Sequence, residues 1–185
     1  SLKKKEKDLI AKQKEQQKKV DQLNKKIEEL ISKQVRTTTT LTKEQQLIAG
    51  GFEANQGRMP WPVEKGFISG YFGKHQHPIH EHVTIENKGI YLQTVSGADA
   101  RAIYEGEVTW CAQMNGSYAV IVQHGNYRSV YSQLAKIYVK QGDKLQAKQA
   151  IGQIQTDTSE DNKTELYFQI YKDRSILNPS LWLAQ

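Results

Sequence analysis

Cysteine is nearly absent from this sequence. Cys111 stands alone among 185 residues, so no disulfide can close within the chain and no zinc site can be built from thiolates, while the redox compartment stays open. Long apolar runs are missing too, since no stretch approaches the roughly 18 residues of a membrane span. The chain opens Ser-Leu-Lys without an apolar signal core, which reads as a fragment or a mature form. No proline or glycine occurs before residue 50, so nothing punctuates the first part of the chain. At 37% hydrophobic and 25% charged residues, the length suits one ordinary domain plus an appendage better than two full cores.

Negative charge is what the first segment has little of. Residues 1–36 carry 12 Lys and Arg against 6 Asp and Glu, while the remaining 26 − 12 = 14 and 20 − 6 = 14 cancel, so the whole net charge of +6 sits on that segment. No basic face interleaved with aromatics follows it, which excludes nucleic acid as the expected partner. The charge run reads as the water-facing side of a helix.

Its sparse aliphatics fall on a seven-residue grid, with Leu2, Leu9, Gln16, Leu23 and Leu30 in one column and Glu6, Gln13, Val20, Ile27 and Gln34 in the other. That is a heptad seam, thinned by polar residues in its first half. Such a helix extends about 50 Å and needs a partner helix to be stable. We expect a coiled-coil helix over residues 1–36, whose pairing the sequence leaves open. Four consecutive threonines, Thr37 to Thr40, then lower helix propensity. Residues 37–57 read as a linker, with Leu41 to Ala49 as a short second helix ended by Gly50-Gly51.

Beyond Met59-Pro60-Trp61-Pro62 the period changes from helical to two. Phe67-Ile68, Val83 to Ile85, Gly89 to Thr94, Arg101 to Tyr104, Val108 to Cys111, Tyr118 to Gln123, Ser129 to Tyr131 and Thr164 to Tyr171 are short β-prone runs separated by turn formers. They predict a mainly β, antiparallel sandwich or barrel-like domain over residues 58–185. Gln141-Gly142-Asp143 predicts a tight turn in a hairpin over residues 137–152. Trp61 and Trp182 are expected in or closing the core.

Ile68-Ser-Gly-Tyr-Phe-Gly73, Asn87-Lys-Gly-Ile-Tyr91, Ile121-Val-Gln-His-Gly-Asn126, Tyr131-Ser-Gln-Leu134, Glu165-Leu-Tyr-Phe-Gln-Ile170 and Asn178-Pro-Ser-Leu-Trp182 together resemble the LytM-type zinc metallopeptidase domain, with its duplicated hybrid-motif fold. In that family a His and an Asp four residues apart and the second His of a His-x-His pair hold zinc, while two further histidines manage the attacking water. The resemblance places Asn87, Tyr91 and Tyr167 at the ligand positions and Glu165 and Gln133 at the catalytic imidazoles. An amide and two phenols, which ordinarily ionise near pH 10, do not replace imidazole and carboxylate as zinc ligands. We therefore expect no bound metal, no cofactor, no catalytic residue and no hydrolysis.

A coiled coil joined to a ligand-stripped LytM domain resembles the EnvC-type murein hydrolase activators. That likeness implies a periplasmic or cell-envelope protein of peptidoglycan remodelling and cell separation. Its partner would be an N-acetylmuramoyl-L-alanine amidase, bound through the former cleft by Lys88, Tyr91 and Tyr167. A membrane transporter-like division complex would act through the coil, and Leu41 to Ala49 would be a helix covering the cleft.

Other readings compete. An active zinc endopeptidase with unusual ligands is one, and a scaffold binding peptidoglycan is another. A lipoyl-type carrier fits the Gly142 turn but lacks the modifiable lysine motif. His75, His77, His80 and His82 cluster within eight residues, and His82 with Glu86 copies a ligand spacing. No distant third imidazole completes the set, which reads as a solvated histidine-rich loop.

Overall fold

The computed structural model describes residues 2–37, 40–76, 82 and 84–185, which fall into two compact units, Ser1–Thr39 and Thr40–Gln185. The first unit is a single helix, α1, Leu2–Thr37. Its sequence holds no helix breaker, and Arg36 in the last turn suits the negative end of the helix dipole. The Thr37 hydroxyl donates back to the Lys33 carbonyl at 3.0 Å, a local bond that competes with continuing the helix.

The second unit opens with α2, Lys43–Ala54. Thr42 caps it, its hydroxyl accepting the Gln45 N–H at 3.1 Å. Gly50 and Gly51 do not end this helix, contrary to expectation, and it runs on to Ala54. The reason is tertiary. Phe52 is fully buried and meets the rings of Tyr104, His124, Tyr127 and Trp182, while a Cβ on Gly51 would overlap the Tyr104 hydroxyl. Glycine weakens a helix by about 1 kcal/mol, less than burying a phenylalanine returns. Residues 40–57, expected as a linker, thus belong to the same compact unit as the β domain.

That domain is antiparallel and mainly β. In chain order its strands are β1 Phe67–Gly70, β2 Gly73–Gln76, β3 Thr84–Asn87, β4 Ile90–Thr94, β5 Asp99–Arg101, β6 Gly106–Met114, β7 Ser117–His124, β8 Tyr127–Ile137, β9 Lys144–Leu145, β10 Ala150–Ile154, β11 Thr156–Asp157, β12 Lys163–Lys172 and β13 Ser175–Leu177. Among the described residues they form an eleven-stranded sheet with the path β1-β4-β12-β8-β7-β6-β9, plus a separate β2–β3 pair. β10 pairs antiparallel with both β8 and β5, which joins β5 to the sheet. A 3-10 turn, Pro179–Leu181, leads to Trp182, which is buried, and Leu183, which bridges to Met59.

Alternation decides which side chains form the core. Leu92 on β4, Leu166 and Phe168 on β12 and Tyr131 on β8 lie in register and point inward with Val120, Val122 and Ile151. Trp61 packs against this cluster and donates its indole N–H to the Ala184 carbonyl at 2.7 Å.

Two local expectations are corrected. Arg101 to Tyr104 is not a strand; β5 ends at Arg101, and Ala102 and Ile103 enter the core from a loop. Gly142 makes a turn, with φ +95°, inside a segment closed by the antiparallel pairing of Ile137 with Gly152, but the immediate flanks of the turn do not pair with each other. Lys144 and Leu145 pair instead with Glu107 and Gly106 of β6, which puts Leu145 in the core.

Candidate functional site

The β4–β12 ladder sets Tyr91 opposite Tyr167 and Gln93 opposite Glu165. Opposed residues share a face, and the alternation that sends Leu92 and Leu166 inward sends these four to the other side. β1 extends the same face at the edge of the sheet, with Phe67 opposite Gln93 and Gly70 opposite Tyr91. Glycine is required at position 70, since a Cβ there would come within 2.8 Å of the Tyr91 ring.

Tyr91 and Tyr167 are stacked, ring centroids 4.8 Å apart and planes 28° from parallel. Such a pair is worth about 0.5–1.5 kcal/mol beyond its buried area. Tyr167 is fully buried, whereas Tyr91 is half-buried, so the pair has a supporting ring and a facing ring. Glu165, half-buried, accepts the Ser69 hydroxyl at 2.6 Å and meets Lys163 Nζ at 3.5 Å. This carboxylate ties β12 to β1 across β4.

Asn87 ends β3, and its side-chain N–H donates to the Tyr71 carbonyl at 2.8 Å. Lys88 and Gly89 make the turn into β4. The half-buried Lys88 accepts Gln169 Nε2 at its carbonyl, 3.4 Å away, and a Cβ on Gly89 would strike the Phe168 carbonyl at 2.5 Å. Gln133 lies on β8 next to Ser132, the residue opposite Tyr167, and takes φ +67°, a left-handed conformation that costs a non-glycine residue about 1 kcal/mol or more. Its carbonyl accepts the Gln155 N–H at 2.9 Å.

The structure therefore brings Tyr91, Glu165 and Tyr167 onto one face, with Asn87 and Lys88 at the turn that enters it and Gln133 on the neighbouring strand. The sequence reading missed Ser69, whose bond to Glu165 spans 96 positions and leaves no local signal. Of the histidine cluster, His75 pairs across β2–β3 with Ile85, while His77 and His80 lie outside the described residues.

The family profile described as "Peptidase family M23" matches residues 85–179, just over half of the chain and the whole span from β3 to the closing 3-10 turn. The chain belongs to peptidase family M23. Among solved structures, this M23 chain is similar to a chain of the SpoIIIAH and SpoIIQ complex, at 26% identity and TM-score 0.56, covering 66% of this chain and 97% of that one. It shares its fold with Csd3 of Helicobacter pylori, at 21% identity and TM-score 0.56, covering 69% of this chain and 35% of that one. It also shares its fold with a zinc-containing peptidase from Vibrio cholerae, at 21% identity and TM-score 0.55, covering 68% of this chain and 40% of that one. No curated protein matches the sequence.

α2 does not lie over this M23 face. It packs on β7 and the turn that follows, where Gln45 Oε1 accepts the Gly125 N–H at 2.8 Å, and its Glu53 meets Lys172, the last residue of β12, at 3.8 Å. Lys172 is five residues along β12 from Tyr167, roughly 17 Å at about 3.3 Å per residue. The expected cover, Leu41 to Ala49, is thus seated at the far end of the strand because Phe52 anchors it there.

Proposed function

We propose that this chain is a non-catalytic member of peptidase family M23 that binds and switches on an N-acetylmuramoyl-L-alanine amidase in peptidoglycan remodelling. The observation that carries the reading is the Tyr91–Tyr167 stack. At two positions where the LytM resemblance expects an aspartate and a histidine on zinc, two phenol rings lie against each other. Zinc takes imidazole, thiolate or carboxylate, and this donor set does not fit it. The third position, Asn87, holds its amide on the Tyr71 carbonyl, and the nearby carboxylate, Glu165, is shared by Ser69 and Lys163.

A face relieved of metal chemistry is free for recognition. In this reading half-buried Tyr91 and Lys88 touch the amidase, and buried Tyr167 holds the Tyr91 ring in place; aromatic and cationic side chains in a concave site suit an interface centre. The similarity to a chain from the SpoIIIAH and SpoIIQ complex supports it, because that fold there sits in a protein assembly. The work would be done in the periplasm or cell envelope, and α1, with its heptad seam, would pair with a helix of a transporter-like division complex.

The test is a dye-release assay on purified sacculi with zinc analysis of the same preparation. Expected are no release by the chain alone and accelerated release when a candidate amidase is added. Tightly held stoichiometric zinc together with lysis by the chain alone would overturn the reading in favour of an active endopeptidase. Sedimentation with sacculi, without any effect on amidases, would overturn it in favour of a scaffold.

A further inference from the structure

The lysines of α1 are not spread evenly around the helix. One column of its heptad seam is Leu2, Leu9, Gln16, Leu23 and Leu30, and the other is Glu6, Gln13, Val20, Ile27 and Gln34. The residue just before each member of the second column is Lys5, Lys12, Lys19, Lys26 and Lys33 in turn. All five are exposed, so one edge of the seam is lysine in every heptad of the helix. The opposite edge, Lys3, Ile10, Gln17, Asn24 and Ile31, holds one cation and no acid. In a coiled coil these two edges flank the apolar contact, and charges there set the partner and its direction.

Pairing within the helix accounts for part of this charge. Asp8, Glu15 and Glu29 stand four residues before Lys12, Lys19 and Lys33, a spacing that favours the helix itself. Lys5 and Lys26 have no acid four residues away and share Asp8 and Glu29 at three. Five cations against those three acids leave the edge positive along its length.

A second copy of α1 does not supply the counter-charge. Aligned in parallel, the lysine edge of one copy meets the other edge of its neighbour, where Ile10, Gln17, Asn24 and Ile31 offer no carboxylate. Aligned antiparallel, lysine edge meets lysine edge. A flat anionic surface fits poorly as well. A seven-residue repeat on a straight helix drifts about 20° per heptad, which sets Lys5 and Lys33 about 80° apart around the axis. A plane that takes one end loses the other, whereas a second helix wound left-handed around α1 follows the drift.

We propose that the lysine edge of α1 docks an acidic helix of another chain, one whose own heptad seam is flanked by Glu or Asp every seventh residue. The two rows then match at intervals of about 10.5 Å. The seam, polar at Glu6, Gln13, Gln16 and Gln34, gives contact and register, and the lysine edge selects the partner by charge. The inference rests on the proposed function only in that α1 pairs with a helix of another chain; it adds the chemistry of that helix, and the amidase has no part in it.

The test titrates the full chain, by calorimetry, with two synthetic five-heptad helices that share one leucine and valine seam. One carries glutamate on both seam edges and the other lysine, so each repels its own copies and neither self-pairs. Expected is binding of the glutamate helix at least about tenfold tighter than the lysine helix at about 50 mM salt, with the advantage shrinking at about 300 mM. Two variants of equal charge change locate the effect. Lys5→Gln, Lys12→Gln, Lys19→Gln, Lys26→Gln and Lys33→Gln together should abolish the preference. Lys4→Gln, Lys7→Gln, Lys14→Gln, Lys18→Gln and Lys25→Gln together lie off the seam and should keep it; glutamine preserves the helix in both, as circular dichroism checks. Equal affinity for the two synthetic helices, or equal loss in the two variants, would overturn the lysine edge and leave the pairing of α1 standing. Binding of neither helix would overturn that pairing as well. Self-association of the chain that the glutamate helix does not compete away would assign the seam to a second copy. Sedimentation with phosphatidylglycerol vesicles in place of glutamate-helix binding would assign the charge to a lipid surface, and either result overturns the proposal.

Discussion

Tyr91 and Tyr167 face each other across the β4–β12 ladder with their rings stacked at 4.8 Å, one half-buried and the other closed off from solvent. The two rings therefore respond differently to truncation. Tyr91→Ala should lower amidase affinity by tenfold or more, as loss of an interface anchor does at about 1.4 kcal/mol or above, while leaving the melting temperature within a few degrees. Tyr167→Ala should cost about 3–5 kcal/mol of stability and lower binding only as a consequence. Denaturant titration alongside an affinity measurement separates them, and equal stability losses in both variants would make the pair structural only.

Lys88 stands at the turn into β4, beside Asn87, whose side chain pins the β1–β2 connection. Its backbone supports Gln169, but its charge belongs to the side chain, so Lys88→Glu tests the charge and keeps the turn. The expected result is weaker amidase binding with a lower association rate and a reversed salt dependence, measured by stopped flow at two ionic strengths. Binding unchanged at low salt would remove Lys88 from the interface.

Phe52 is the anchor of α2, and its four aromatic neighbours come from three separate places in the chain. Phe52→Ala should destabilise the Thr40–Gln185 unit by about 3–5 kcal/mol, read from urea unfolding with its slope unchanged. Because α2 sits at the far end of β12, its removal should not expose the Tyr91 face or raise amidase stimulation. A several-fold rise in stimulation would restore it as a cover.

Gln133 holds φ +67°, where glycine carries no Cβ penalty. Gln133→Gly should be neutral or stabilising by about 1 kcal/mol, and Gln133→Val should destabilise by more than about 1 kcal/mol, both by thermal denaturation. A destabilising glycine would mean that the glutamine side chain, and not the backbone, is what the position supplies.

The long helix could be read directly, because heptad spacing and the absence of proline and glycine are properties of neighbouring residues. The mainly β domain was legible for the same reason: a period of two over Thr164 to Tyr171 already assigns Leu166 and Phe168 to one face and Glu165 and Tyr167 to the other. Asn87, Tyr91, Glu165 and Tyr167 stood out because their motif surroundings resemble a known family even where the ligands differ. Other features were not local. Gly50-Gly51 signals a helix end in isolation, and only Tyr104, more than fifty residues away, explains why the helix continues past it. The turn at Gly142 was visible, but its flank pairs with β6 because Leu145 is buried there.

By itself, then, the sequence determined the long helix, the mainly β character of the rest, the facing of β12 and the family, since these follow from spacing and side-chain chemistry along the chain. Only the tertiary structure decided where α2 is seated, that Ser69 holds Glu165, and that His124 lies between Phe52 and Ser129. Those contacts join distant segments through packing and hydrogen bonding in a closed interior, and no pattern of neighbouring residues encodes which distant partner fills that space.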